Sequence, residues 1–125
     1  MNSIALIPET FELSQHLYYV LVKADGFYAM ANPHFLNRFG LQSEAMQKFS
    51  AFSRIHPADR VQCKDALAFC SNEPGKSISV DFRKPDAMGN YISTRWEFTG
   101  IERNEDEEFY IQCVGYDTME ELAGK

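Results

Sequence analysis

The stretch Phe27–Gly40, FYAMANPHFLNRFG, constrains the chain more than any other. It reads as a short strand that stops at Asn32 and turns at once into a two-turn helix. Asn32 suits the N-cap, where its side-chain oxygen can accept from an orphaned amide. Pro33 falls at the first helical position, where a missing N–H costs nothing. Phe35, Leu36 and Phe39 put apolar bulk on one side. Gly40 follows where a left-handed residue is wanted, and Leu41 is placed to fold back on Leu36 as the hydrophobic contact of a Schellman cap. The rest of the chain must therefore supply a sheet for the strand and a core for Phe35 and Phe39.

Upstream, Leu17–Lys23 is rich in β-formers and alternates Tyr18, Val20, Val22 against Tyr19, Leu21, Lys23. Asp25-Gly26 separates it from Phe27, a strong hairpin signal because both residues tolerate positive φ. Pro8–His16 is predicted as a short helix carrying Phe11. Downstream, Met46, Phe49 and Phe52 recur at spacing three, which predicts a helical patch over Ser43–Ile55. His56-Pro57-Ala58-Asp59 marks another helix start, with Pro57 near N1 and Asp59 in the positive first turn. That helix runs to about Cys70, and Cys63, Ala66, Leu67 and Cys70 form one apolar stripe.

Beyond Asn72–Gly75 the pattern is all strand. Ser77–Arg83 alternates, with Ile78, Val80 and Phe82 on one face and Ser77, Ser79, Asp81 and Arg83 on the other. Pro85–Asn90 is a turn. Tyr91–Arg103 carries Ile92, Thr94, Trp96 and Phe98 on one face, Asn104–Glu108 is an acidic solvated turn, and Phe109–Asp117 is the last strand. Gly115 marks a bulge or a close approach. The order β-β-α-α-α-β-β-β predicts an α+β domain: a five-stranded antiparallel sheet with helices covering one face.

At 125 residues this is one domain, with 45% hydrophobic and 24% charged residues as in ordinary globular proteins. A net charge of -6, with 12 scattered Lys and Arg, argues against a nucleic-acid surface. No apolar run approaches a membrane span of about 20 residues, and the N-terminus lacks the basic region of a signal peptide. Three cysteines without motif spacing suit a reducing, cytoplasmic compartment. Cys63 and Cys70 lie about 10 Å apart along a helix, beyond disulfide reach.

With these residues in place, the chain resembles a PAS domain, the sensory module of histidine kinases and other signalling proteins. Asn32-Pro33-x-Phe35 followed by Phe39-Gly40 is similar to that family's N-P-A-F…F-G segment. His56-Pro57-x-Asp59 resembles its H-P-x-D helix start, and Gly115-Tyr116-Asp117-Thr118 resembles its closing G-x-D-I-T, with Thr118 and Met119 after Asp117 in place of Ile and Thr. The resemblance spans about Leu17 to Glu121. It implies a central pocket for a small ligand or cofactor, pairing with a second copy, and a C-terminal helix leading to an effector such as a histidine kinase. The chain then divides into a cap segment at 1–16, the domain at 17–118, and the start of an output helix at 119–125, as in an N-terminal module cut from something longer.

The resemblance places candidate pocket residues at Phe35, Phe39, Phe49, Cys63, Ala66, Leu67, Cys70, Val80, Phe82, Thr94, Trp96 and Cys113. Their plain alternative is a filled core, since aromatics dominate cores and free cysteine is usually buried. The stripe Cys63, Ala66 and Cys70 is small enough to leave space for a ligand. The face taken by Trp96 stays open; turned inward, its N–H and Thr94 could orient a ligand. Haem-binding relatives use a histidine on the long helix, and Asp59–Cys70 has none. The Asn-Cys-Arg-Phe-Leu-Gln run of photoactive flavin domains is also missing. Haem and a photoactive flavin are thus disfavoured, and the cofactor is left unnamed. His56 reads as a cap and His34 as a surface residue.

Glu105–Glu108 lacks the spacing and glycine of a calcium loop. No nucleophilic triad stands out, so a non-catalytic module is expected. The competing readings are a ligand-free interaction scaffold and a small pocket enzyme of the ketosteroid-isomerase type, which needs a buried carboxylate with a raised pKa. A homodimer is expected through the sheet face left open by the helices, using Phe11, Tyr19 (or Tyr18), Tyr110, Val114 and Tyr116.

Overall fold

The computed structural model describes residues 7–101 and 108–118. Helix α1 is Glu9–Leu13, shorter than expected, and strands β1 and β2 are Tyr18–Lys23 and Tyr28–Ala31. Helix α2 is Pro33–Phe39 and α3 is Arg60–Asn72. Strands β3 (Ser77–Pro85), β4 (Tyr91–Gly100) and β5 (Tyr110–Asp117) complete one antiparallel sheet in the order β2-β1-β5-β4-β3. The last strand thus lies in the middle, between the early hairpin and the late one.

The strand-to-helix unit forms as its residues dictate. Asn32 Oδ1 accepts from the Phe35 amide at 3.3 Å, and Gly40 adopts φ 67°. The Leu41 amide then reaches back to the Leu36 carbonyl at 3.0 Å, closing a Schellman turn. Asn32 does more than cap. It also accepts from the Tyr19 amide at 3.1 Å and donates to the Phe11 and Leu17 carbonyls at 2.8 and 2.9 Å. One fully buried amide therefore ties α1, β1 and α2 together, with every polar atom satisfied.

Two expectations need correction. Ser43–Ile55 is not a helix but two 3₁₀ turns, Met46–Lys48 and Ala51–Arg54, with Phe49 and Ser50 extended between them. Backbone pairing with the hairpin holds them open: the Tyr28 amide donates to Phe49 and the Ala51 amide to Gly26. Ser50 then caps the second turn through its hydroxyl. The strand expected to end at Arg83 continues to Pro85, bringing Lys84 into the inward-facing series of Ile78, Val80 and Phe82. The end of the strand expected to reach Arg103, most of the acidic turn and the 119–125 segment lie outside the described residues.

The second helix start opens as one 3₁₀ turn, Pro57–Asp59, before α3 begins. His56 Nδ1 accepts from the Ala58 amide at 3.1 Å, so this histidine is a cap. Asp59 turns to Arg83, whose guanidinium grips the carboxylate at 2.9 and 2.9 Å while its amide adds a bond at 2.8 Å. The core lies between the concave sheet face and α2 and α3. It joins Val80 and Phe82 with the Cys63, Ala66, Leu67 and Cys70 stripe in a single cluster.

Candidate functional site

A cavity of about 30 Å³ opens in the middle of that core. Val20 and Val22 of β1, Phe82 of β3, Trp96 and Phe98 of β4 and Cys113 of β5 form the sheet side. Phe35, Cys63 and Leu67 close it from α2 and α3, and Tyr28, Ala51 and Ile55 from the hairpin and its 3₁₀ turn. Alternation brings the strand residues to one face, and the spacing of Cys63 and Leu67 places both on one side of α3.

Of the sequence candidates, Phe35, Cys63, Leu67, Phe82, Trp96 and Cys113 meet at this cavity. Phe39, Ala66, Cys70 and Val80 are buried in the surrounding core without lining it. Phe49 is only partly buried, its ring facing the Arg54 guanidinium at 5.2 Å, because the extended backbone there swings it off the cavity. Trp96 faces inward. Its indole N–H donates to Thr94 Oγ1 at 2.8 Å, and that hydroxyl donates to the Phe82 carbonyl at 2.6 Å. Both groups are thus engaged within the protein. Gly115 lets the indole lie flat on β5, since a Cβ there would overlap the Trp96 ring. This is the close approach expected of that glycine.

Among the described residues, the one charged residue lining the cavity is Lys84, which the sequence reading leaves out. It is 2% exposed, and Nζ donates to the Arg54 carbonyl at 2.9 Å and the Tyr28 hydroxyl at 3.2 Å. The Phe39, Phe35 and Tyr28 rings lie 5.1, 5.3 and 5.9 Å from it, so aromatic faces stand in for part of its lost water. Burial pushes its pKa down to about 7, with the neighbouring Arg54 charge acting in the same direction. Burial likewise pushes the Cys63 thiol up to about 12 and raises Cys113 and the Tyr28 phenol well above their ordinary ranges. The cysteines are unreactive thiols there.

A second constellation sits where β5 ends. Tyr18 Oη donates to Asp117 Oδ1 at 2.6 Å, and Arg38 donates to Oδ2 at 3.0 Å. The Thr118 amide bonds the Ser93 carbonyl at 3.0 Å. The Tyr18 ring stacks on Trp96 at 5.7 Å and on His34 at 4.8 Å. Tyr18 is therefore a core residue, and His34, expected at the surface, is half-buried against it.

On the convex face, Tyr19, Tyr110, Val114 and Tyr116 share one side of β1 and β5. They are not equally open. Tyr19 is buried under the Phe11 ring at 4.8 Å, Tyr110 and Val114 are half-buried, and Tyr116 is exposed. The N-terminal helix covers that end of the face within the same chain. The acids bear on the enzyme reading too. Asp59, the buried carboxylate among the described residues, is paired with Arg83 and held below the ordinary carboxylate range by that hydrogen bond. Asp81 is exposed, against Arg95. Asp59 therefore lacks the raised pKa that reading needs.

The family model for the PAS fold matches residues 28–115, and the chain belongs to that family. No curated protein sequence matches it. Among solved structures it is similar to a PAS domain of a Colwellia psychrerythraea protein, with TM-score 0.74, 12% identity and coverage of 90% of this chain and 93% of that one. It is similar to the Drosophila melanogaster Cycle PAS-B domain with bound ethylene glycol, with TM-score 0.72, 13% identity and coverage of 81% and 99%. The PAS domain of the Cronobacter turicensis RpfR quorum-sensing receptor in complex with BDSF matches at TM-score 0.66 and 14% identity, covering 82% and 93%.

Proposed function

We propose that this PAS domain is a non-catalytic sensor that takes a small molecule into the cavity between sheet and helices. It passes the resulting shift through the end of β5 to an attached effector, a cytoplasmic histidine kinase being the expected one. The observation that carries this is the cavity beside Trp96, one ring away from the Tyr18–Asp117–Arg38 clasp. A ligand that moves the indole moves the Tyr18 ring stacked on it, and Tyr18 holds the last carboxylate before the chain leaves the domain. Ligands held by related folds, ethylene glycol in Cycle PAS-B and BDSF in RpfR, support a pocket at the family level. Native mass spectrometry and an absorption spectrum of the purified chain test the reading. A small molecule released on denaturation is expected.

A second reading rests on the cavity's size, which holds only about two or three water molecules. A core this full suits a ligand-free scaffold that works by pairing with a second copy over Val114, Tyr110 and Tyr116. A consistently empty protein that light scattering finds dimeric favours the scaffold; a monomer at high concentration removes the homodimer.

A further inference from the structure

Every described strand and helix except α1 has at least one buried residue, and no side chain caps the first turn of α1. The Phe11 ring rests on Tyr19 at 4.8 Å, and the Phe11 carbonyl accepts from Asn32 Nδ2 at 2.8 Å. An element held by so little opens at low cost. Its anchor is the opposite case. Asn32 is fully buried, and its carboxamide makes four hydrogen bonds, two at each end. Nδ2 donates to the chain before β1, at the Phe11 and Leu17 carbonyls. Oδ1 accepts from the Tyr19 amide on β1 and the Phe35 amide on α2. Donors facing the oxygen and acceptors facing the nitrogen fix which way the group is turned.

We propose that α1 is a strap coupled to the central cavity through the Asn32 carboxamide, so that lifting α1 moves Phe35 and a shift of Phe35 loosens α1. The amide is planar, and its two ends cannot move separately. Losing the Phe11 acceptor leaves a buried donor unpaired, a costly state that the group relieves by turning toward water. Turning takes Oδ1 off the Phe35 amide, the longest of the four bonds at 3.3 Å. That bond caps α2, and Phe35 in its first turn lines the cavity with its ring 6.1 Å from Trp96. By linkage the coupling runs both ways. A lifted strap also uncovers Tyr19 beside Tyr110 and Val114, giving the domain an outlet on its convex face besides the one at β5.

The coupling needs no ligand in the cavity, so its failure leaves the sensor reading standing. The plain alternative is an asparagine that staples three elements together and passes nothing on. That alternative predicts that α1 opens without any change at Trp96. Asn32→Ser separates the two roles. Serine is as good an N-cap for α2 but lacks the carboxamide that reaches Phe11 and Leu17.

The whole chain is digested briefly with a protease that cuts after glutamate, and cleavage after Glu9 and Glu12 of α1 is followed by mass spectrometry. Trp96 is the single tryptophan, so its quenching by acrylamide reads the cavity. Phe11→Ser takes the ring off Tyr19 and should raise cleavage about fivefold and quenching about twofold. In an Asn32→Ser background the same change should no longer alter quenching. In the reverse direction, Phe35→Leu should speed cleavage of α1, whereas Phe98→Leu, on the β4 side of the same cavity, should not. Should Asn32→Ser not fold, the Phe35 and Phe98 variants decide. Faster cleavage of Phe11→Ser with unchanged quenching, or no faster cleavage at all, overturns the proposal. So does quenching that still responds without the Asn32 carboxamide, or equal cleavage in the Phe35 and Phe98 variants.

Discussion

Arg83 and Lys84 follow one another on β3, and the pleat sends them to opposite sides of the strand. Arg83 stays half in water and is clasped by Asp59 through two guanidinium bonds and its own amide. Lys84 goes under α2 to a carbonyl, a phenol and three rings. One residue of register separates a cation with a carboxylate from a cation that has none among the described residues. The first arrangement ties the start of α3 to the sheet edge. The second holds a cation inside the core on a carbonyl, a phenol and aromatic faces, with burial disfavouring its charged form.

The largest effect that can break this comparison is on the alkaline side. The Lys84 pKa falls from 10.5 in the unfolded chain to about 7 in the fold. Between those values the unfolded state holds a proton that the folded state has released, so stability rises with pH across the window. From pH 7 to 9.5 the gain should be roughly 3 kcal/mol, at about 1.4 kcal/mol per pH unit. In Lys84→Met that rise should vanish, as measured by urea unfolding at a series of pH values. A wild-type profile as flat as the variant's would show that Lys84 is hydrated and does not differ from Arg83 in kind.

Asp59→Ala sharpens the other half. It removes a carboxylate that accepts three hydrogen bonds and leaves the Arg83 amide without its acceptor. Hydrogen bonds to charged groups are worth about 1.5–3 kcal/mol each, and water at the half-exposed Arg83 recovers part of the loss. A destabilisation of about 2–3 kcal/mol is expected. Its pH signature has the opposite limb. The Asp59 pKa is lowered chiefly by the Arg83 hydrogen bond, so its contribution is present above the ordinary carboxylate range and is lost as pH falls below it. The variant should lack that acid-side loss.

How much of this could be read in advance depends on whether the deciding partner is local. Asn32, Pro33 and Gly40 specify a cap and a stop within nine residues, and they form as expected. The five-stranded sheet and its helix-covered face were equally legible, since alternation over Ser77–Phe82 and the stripe from Cys63 to Cys70 each announce a buried side. Phe49 misled because Met46, Phe49 and Phe52 recur at spacing three, a period that 3₁₀ turns also satisfy. The hydrogen bonds that hold Phe49 and Ser50 extended come from Gly26 and Tyr28, more than twenty positions away. Lys84 escapes the pattern for a different reason. A lysine after an arginine reads as solvated surface, yet one more step of the Ile78, Val80, Phe82 alternation points it inward. That step was the available signal. The Asp117 clasp had none, because Tyr18 and Arg38 lie far from it in sequence.

The smallest expected effect marks where an ion pair stops mattering. Arg95 and Asp81 face each other across β3 and β4 with two bonds at 3.0 and 3.1 Å, a geometry as good as that of Arg83 and Asp59. Both side chains are about half exposed, so water competes for each end and salt screens what remains. Arg95→Ala should therefore cost far less than Asp59→Ala in urea unfolding at low salt, and less still at about 1 M salt. If it costs as much as Asp59→Ala, geometry rather than burial sets the strength of these pairs. The same result would weaken the contrast with Lys84, which turns on burial. A small loss for Arg95 beside a large one for Asp59 leaves burial as the variable, and at Lys84 burial is most complete.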